Sequence, residues 1–227
     1  MNNTVIAVAI DGPAGAGKST IARAAAKQLG FIYVDTGALY RTIGLAACRR
    51  GIDGTDTAGI IKMLPEISVD LHYQDGVQSV LLDGEDVSSC IRTPQISVYA
   101  SQVSAIPEVR TYLLDLQRQM AQKQSVIMDG RDIGTVILPH AQVKIFLTAS
   151  AQARAERRCA ELREKGEQVT VKEVLADMQV RDEKDSSRLV APLRQAEDAV
   201  CVDTSALTLE QSIAAVLQVI QTMIEEK

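Results

Sequence analysis

Two different spacings of apolar residues alternate along the chain. Thr4 to Ile10 is an unbroken β-branched and apolar run that stops at Gly12-Pro13, the pattern of a buried strand. Ser19 to Leu29 carries alanines and apolar residues at helical spacing and is closed by Gly30, which predicts a helix with a C-terminal glycine. Phe31 to Val34 reads as a second short strand, and Ala38 to Arg50 as a second helix stopped by Gly51. The alternation then breaks. Ile67 to Tyr73 and Val77 to Leu82 flank Gln74-Asp75-Gly76, and Asp-Gly between apolar-rich runs predicts a hairpin. Beyond this insertion, Glu108 to Gln122 is helical with Pro107 near its start, and Ser125 to Met128 and Val143 to Leu147 are strands. Ala151 to Lys165 and Val171 to Lys184 are charged helices, Ala199 to Val202 a last strand and Leu209 to Glu226 a last helix. Thr170-Val-Lys-Glu173 and Thr208-Leu-Glu-Gln211 have the form of capping boxes for two of them.

Strand–helix alternation implies an α/β fold: a mainly parallel sheet with helices on both faces, interrupted by one antiparallel hairpin. At 227 residues the prior is one domain with insertions, 1–227. Composition narrows the function more than the fold. Hydrophobic residues make up 46% and charged residues 23%, ordinary for a soluble domain. Aromatics are 3% and tryptophan is absent, which argues against a base-stacking platform, and a net charge of −5 argues against a nucleic-acid partner. Cys48, Cys90, Cys159 and Cys201 are far apart and His72 and His140 form no cluster, so neither zinc nor a disulfide framework is expected. No targeting segment or membrane span is read in the chain, and the expected setting is cytoplasmic.

The strongest chemical signal is Gly12-Pro13-Ala14-Gly15-Ala16-Gly17-Lys18-Ser19, followed by Thr20, which fits G-x-x-x-x-G-K-[ST] between a strand and a helix. Glycines let backbone N–H groups turn inward toward phosphate oxygens, and the helix N-terminus adds positive potential. Lys18 supplies a mobile cation to the terminal phosphates. Ser19 can ligate the Mg²⁺ that travels with a nucleoside triphosphate.

In open parallel sheets ligands sit beyond the carboxyl ends of the strands. Three strand ends carry polar signatures: the phosphate loop, Asp35-Thr36-Gly37-Ala38-Leu39-Tyr40-Arg41, and Asp129-Gly130-Arg131-Asp132. In a parallel sheet all three share one edge. The last of them admits three readings: a catalytic base with its partner, a clamp on a substrate, or a buried ion pair holding a turn. Two arginine groups lie on helices. Arg154, Arg157 and Arg158 share one face, as do Arg181, Asp185 and Arg188. Each is either solvated charge, paired with neighbours such as Glu161, or a set of phosphate contacts. An excess of arginine near a phosphate loop favours the second.

Together these motifs resemble the bacterial-type cytidylate kinases of the nucleoside monophosphate kinase group. The matching stretches are IDGPAGAGKST (Ile10 to Thr20), DTGALYR (Asp35 to Arg41), LDGEDVS (Leu82 to Ser88), IRT (Ile91 to Thr93), ASQVSAIPEVR (Ala100 to Arg110), DGRDIGTV (Asp129 to Val136) and RDEKDSSRLVAPL (Arg181 to Leu193). The family often has serine where this chain has Thr36, which keeps the hydroxyl. The resemblance implies a P-loop kinase core, a monophosphate-binding insertion about 52–106 and a lid about 154–190. It implies ATP contacts from the phosphate loop and from Arg154, Arg157 and Arg158. Ser101, Arg110 and Asp132 would contact cytosine, Arg181 and Asp185 the sugar, and Arg41, Arg131 and Arg188 the acceptor phosphate. Asp35, Thr36 and Asp129 complete the acceptor side, and Lys18, Arg131 and Arg158 would serve catalysis. The implied reaction is ATP·Mg²⁺ phosphorylating CMP or dCMP, by a monomer. The acceptor is a phosphate that is already ionised at neutral pH, so no general base is required. The rival readings are a small-metabolite kinase acting on a hydroxyl, in which an aspartate of the DGRD turn would be the base, and a nucleotide switch. The absence of N-K-x-D disfavours the switch.

Overall fold

A computed structural model of the chain describes residues 5–74, 77–164 and 166–225. The central sheet has five parallel strands: β1 (Ala7–Asp11), β2 (Ile32–Asp35), β6 (Val126–Gly130), β7 (Val143–Thr148) and β8 (Val200–Asp203), in the order β2-β6-β1-β7-β8. β1 is buried at all five positions, which is why its sequence is continuously apolar up to Asp11 instead of alternating. Helix α1 (Lys18–Leu29) returns the chain across the sheet with Ile21, Ala22, Ala25 and Ala26 inward. It shares that face with the last helix, α8 (Leu209–Glu225), through Val216 and Ile220. On the opposite face Val34, Val126 and Met128 pack against Ile133 and Ile137 and against α5 (Pro107–Lys123).

A second core lies beside this one, built on α2 (Thr36–Arg49). Ala38, Leu39, Ile43 and Ala47 of α2 meet α3 (Thr57–Met63), the antiparallel strands β3 (Val69–Gln74) and β4 (Val77–Leu82), and α4 (Pro94–Val103), while β5 (Glu85–Asp86) pairs with β4 and is exposed. The antiparallel pairing expected for the hairpin is present, Val69 opposite Leu82 through Gln74 opposite Val77; its Asp75-Gly76 turn lies outside the described residues. The insertion is therefore a small layer of its own, fused to the main sheet through α2.

Helices α6 (Ala151–Glu164) and α7 (Val171–Ser186) form a third, smaller unit around Ala155, Cys159, Val174 and Met178. The expected capping box of α7 is formed: the Thr170 hydroxyl accepts from the Glu173 amide at 3.2 Å, and Glu173 accepts from the Thr170 amide at 2.9 Å. The proposed ends of two helices, at Lys165 and Glu226, lie outside the described residues. Two short helices were not anticipated. Both carry ordinary start signals, Asp56 capping α3 and Thr93-Pro94 opening α4. Residues Ile133–Ile137 form a π-turn rather than simply a loop.

Candidate active site

Strand register puts the three polar strand ends side by side, as the sequence implied. Asp11 of β1 is level with Gly130 of β6, and Asp35 of β2 with Asp129. The phosphate loop, the start of α2 and the DGRD turn thus occupy one edge of the sheet.

Two glycines of the loop are dictated by their surroundings. Gly12 has φ 151°, and a Cβ on it would sit 2.0 Å from the Leu147 carbonyl oxygen of β7. Gly15 has φ 71°, with the Met178 Cε of α7 2.6 Å from where its Cβ would be. Lys18 is buried, and its ammonium donates back across the loop to the Pro13 carbonyl at 2.7 Å. Burial, followed by repulsion from Arg131, holds its pKa well below that of a free lysine. An anion in the loop would offset both by pairing with the ammonium.

Asp129 is buried and both its oxygens are engaged: Ser19 Oγ donates to Oδ2 and the Tyr33 hydroxyl to Oδ1, each at 2.8 Å. Its carbonyl accepts from the Thr36 hydroxyl at 2.8 Å. Burial, together with Asp35, raises its pKa. A serine hydroxyl beside a carboxylate at the start of α1 is a hard-oxygen pair of the kind Mg²⁺ takes when it also holds phosphate oxygens.

Asp35 caps α2, accepting from the Ala38 amide at 3.1 Å, and is flanked by Arg92 at 2.9 Å and Arg41 at 3.8 Å. Asp132, beyond the turn, is buried in an ion pair with Arg110. Arg110 also donates to the Ser104 carbonyl at 3.0 Å and lies over the Tyr40 ring. The Ser104 hydroxyl donates to the Ser101 carbonyl and accepts from Arg188, each at 3.0 Å. Arg188 lies past the end of α7 but still reaches Asp185, at 2.5 Å. Arg131 meets the other oxygen of Asp185 at 2.8 Å. Burial would raise the pKa of Asp185, but Arg131 and Arg188 outweigh it and hold the pKa below the usual carboxylate value.

Arg181 stands apart from these pairs. Its Nε is buried and has no hydrogen-bond partner among the described residues. Its pKa is lowered to about 10, by burial first and then by Arg131, with Arg41 and Arg158 adding to the repulsion. Four arginines, three from helices and Arg131 from the turn after β6, converge there, and Asp185 is the acid acting against them. That arrangement is costly without an anion and favourable around one.

The α6 arginines share a helix face but not a role. Arg154 is buried and donates to the Ala14 carbonyl at 2.8 Å and to Asp182 at 2.7 Å, and Asp182 accepts from the Ala14 amide at 3.3 Å. Arg157 donates to the Thr204 carbonyl at 2.5 Å, tying α6 to the end of β8. Arg158 is exposed and pairs with Glu161 at 3.0 Å, the pairing that a solvated helix face also predicts.

Several residues of this site carry no motif of their own: Asp11, Tyr33, Arg92, Ser104 and Asp182. Tyr33 sits two residues before Asp35 on β2, so strand periodicity places the two side chains on one face. Asp182 is one residue from Arg181. Nothing in the sequence marks Ser104 or Arg92 beyond lying within the family stretches.

The sequence model of the cytidylate kinase family matches residues 8–222. A cytidylate kinase of Caldicellulosiruptor bescii is 47% identical over 222 residues, covering 98% of each chain. One of Syntrophotalea carbinolica is 48% identical, covering 97% of this chain and 93% of that one. One of Lactobacillus johnsonii is 48% identical, covering 96% and 95%. Among solved structures, a gluconokinase of Sinorhizobium meliloti aligns with TM-score 0.50 at 15% identity, covering 97% and 94%, a likeness of fold alone.

Proposed function

The chain belongs to the cytidylate kinase family, and on that premise we propose that it transfers the γ-phosphate of ATP to CMP and dCMP, releasing ADP and CDP or dCDP. The observation that carries this reading is the arginine cluster beside the phosphate loop. Lys18 meets the donor from one side, and Arg181, with its buried unpaired Nε, stands with Arg131 and Arg41 on the other. Two anionic groups brought together, donor and acceptor, need positive charge on both sides. An uncharged hydroxyl acceptor would not require the second cluster.

On this reading Gly12 to Thr20 bind the triphosphate, and Arg157 and Arg158 serve the ATP side from α6. Arg154 holds the loop in shape through Ala14. Arg41, Arg131, Arg181 and Arg188 receive the acceptor phosphate and sugar, with Asp185 orienting two of them. Asp132, Arg110 and Ser101 meet cytosine. Residues 52–106 serve as the monophosphate-binding part and 154–190 as a lid. Mg²⁺ would be held by Ser19, with Asp129 behind it, and would neutralise charge on the transferring phosphates. Asp129, with both oxygens already accepting hydrogen bonds, is a positioning group and not a base.

Catalysis is then alignment and charge neutralisation. The ionised acceptor oxygen attacks in line, the P–O bond to ADP breaks, and no proton has to leave. A monomer working in the cytoplasm is the proposed setting; no described helix is long and apolar enough to cross a membrane. The test is a coupled assay of ADP release with CMP, dCMP, UMP, AMP and GMP against sugar and carboxylic acid acceptors. Turnover with CMP and dCMP is expected. Turnover confined to a hydroxyl acceptor would overturn the reading.

A further inference from the structure

Asp11 is the last residue of β1 and the one immediately before the phosphate loop. It is 5% exposed, and no cation lies within ion-pair distance of it among the described residues. Its two oxygens instead accept from two successive amides of the neighbouring turn, Ile133 at 2.8 Å and Gly134 at 2.7 Å. These are the two residues directly after Asp132. A Cβ on Gly134 would lie at ordinary contact distance from Asp11 Oδ2, 3.4 Å, and slightly closer, 3.2 Å, to Lys144 Cδ. The same turn is closed by the Val136 amide donating to the Asp132 carbonyl at 2.9 Å and the Leu138 amide to the Ile133 carbonyl at 2.7 Å.

A buried carboxylate without a counter-ion costs stability, so structural economy does not explain its place. Burial, with a smaller contribution from Asp132, raises its pKa to about 6 against the pull of the two amides and of Lys18. What the carboxylate does is fix the backbone that carries Asp132. Asp132 has φ −145° and ψ 26°, outside strand and helix geometry, and its side chain is aimed at Arg110. Among the described residues the start of the turn after it has no strand pairing, while Arg118 of α5 holds its far end through the Ile137 and Val136 carbonyls at 3.0 and 3.1 Å. β1 holds that start through Asp11, so a single strand end sets both the donor loop and the base-facing carboxylate.

We propose that Asp11 is a positioning residue for base selection, holding the amides of Ile133 and Gly134 so that Asp132 keeps the direction in which it accepts from the cytosine amine. This rests on Asp132 being the base reader. Cytosine offers an N4 donor where uracil offers an O4 acceptor, so a carboxylate held in place favours CMP and repels UMP. A carboxylate free to swing discriminates less, because both bases then find a tolerable arrangement.

Asp11→Asn keeps the shape but turns one acceptor into a donor facing an N–H. The expected result is a fall of about 5-fold or more in the CMP-to-UMP ratio of kcat/KM. The ratio cancels the titration of the acceptor phosphate, which both substrates share. A uniform loss of turnover with the ratio intact means Asp11 is only structural and overturns the proposal. Asp132→Asn is measured in the same panel. If it lowers the ratio and Asp11→Asn does not, the positioning role fails while the reading of Asp132 stands. If Asp132→Asn itself leaves the ratio intact, the base reading fails and the proposal with it. Should Asp11→Asn not fold, Asp11→Glu keeps the charge but moves the carboxylate by one methylene, out of register with the two amides. An unchanged ratio in that variant then overturns the proposal.

Discussion

At the scale of single residues, the site is built from groups held at a cost. Lys18 is the clearest: a buried ammonium with a depressed pKa, parked on the Pro13 carbonyl. Lys18→Ala should lower kcat by roughly 100-fold or more if, as proposed, it is the cation that meets charge developing during transfer. Its thermal midpoint should not drop, which differential scanning fluorimetry reads directly. Gly12 behaves oppositely. Its missing Cβ would overlap the Leu147 carbonyl, which is strand backbone and cannot move aside. Gly12→Ala should cost about 2–4 kcal/mol in urea unfolding, from overlap and an unfavourable φ together. Asp11 makes a prediction with the opposite sign to most carboxylates. Its folded pKa is about 6 against 3.8 for a free aspartate, so the native state binds the proton more tightly. Its stability cost is absent below 3.8, grows as pH rises through this window and is complete above about 6. At roughly 1.4 kcal/mol per unit, about 3 kcal/mol is at stake. The midpoint of Asp11→Asn minus that of wild type should therefore rise between pH 4 and pH 7. The facing charged groups, Asp132, Lys18 and Lys144 beyond Gly134, are the same in both proteins, so a flat difference would show that the carboxylate is not perturbed.

At the scale of elements, legibility followed periodicity. β1, α1 and the hairpin were readable because each is long enough, or punctuated clearly enough, for its apolar spacing to declare its partner faces. Strand register then carried the argument from sequence to site. Once β1, β2 and β6 are parallel neighbours, the phosphate loop, Asp35 and Asp129 must share an edge. What escaped was short or non-repeating: α3, α4 and the π-turn at Ile133–Ile137, whose hydrogen bonds skip the ordinary helical step. Contacts between distant segments escaped for a different reason. Asp182 on the Ala14 amide and Asp11 on the Gly134 amide join residues 168 and 123 positions apart, and no local pattern encodes such a meeting. Helical spacing put Arg154, Arg157 and Arg158 on one face correctly, yet it could not tell that the first is buried on the loop and the last exposed. Element α7 offers a test of how far local design matters to the site. It carries Arg181, Asp182 and Asp185, and it begins at a complete capping box. Thr170→Ala removes one side of that box and should cost about 1 kcal/mol in chemical denaturation.

At the scale of the molecule, three packed units meet around one space: the parallel sheet, the insertion layer on α2, and the α6–α7 pair. Each supplies cations to it. Arg131 comes from the sheet edge, Arg41 from α2, Arg158 from α6 and Arg181 from α7. A charge cluster assembled across units resists their approach until an anion sits between them, so closing and binding should be one event. Arg158 is the member that tests this, because in the present arrangement it is exposed and, among the described residues, ion-paired with Glu161. Surface pairs of that kind contribute about 0–1 kcal/mol and are easily given up. If α6 and α7 close as a lid, Arg158 leaves Glu161 for the transferring phosphate and acts mainly in the transition state. Arg158→Ala should then lower kcat by about 10-fold or more while the CMP dissociation constant, measured by calorimetry, stays within about 2-fold. Glu161→Ala, which frees the same guanidinium, should leave kcat unchanged or raise it slightly. A variant at Arg158 with full kcat would make this helix face solvated charge and return catalysis to Lys18 and the acceptor-side arginines.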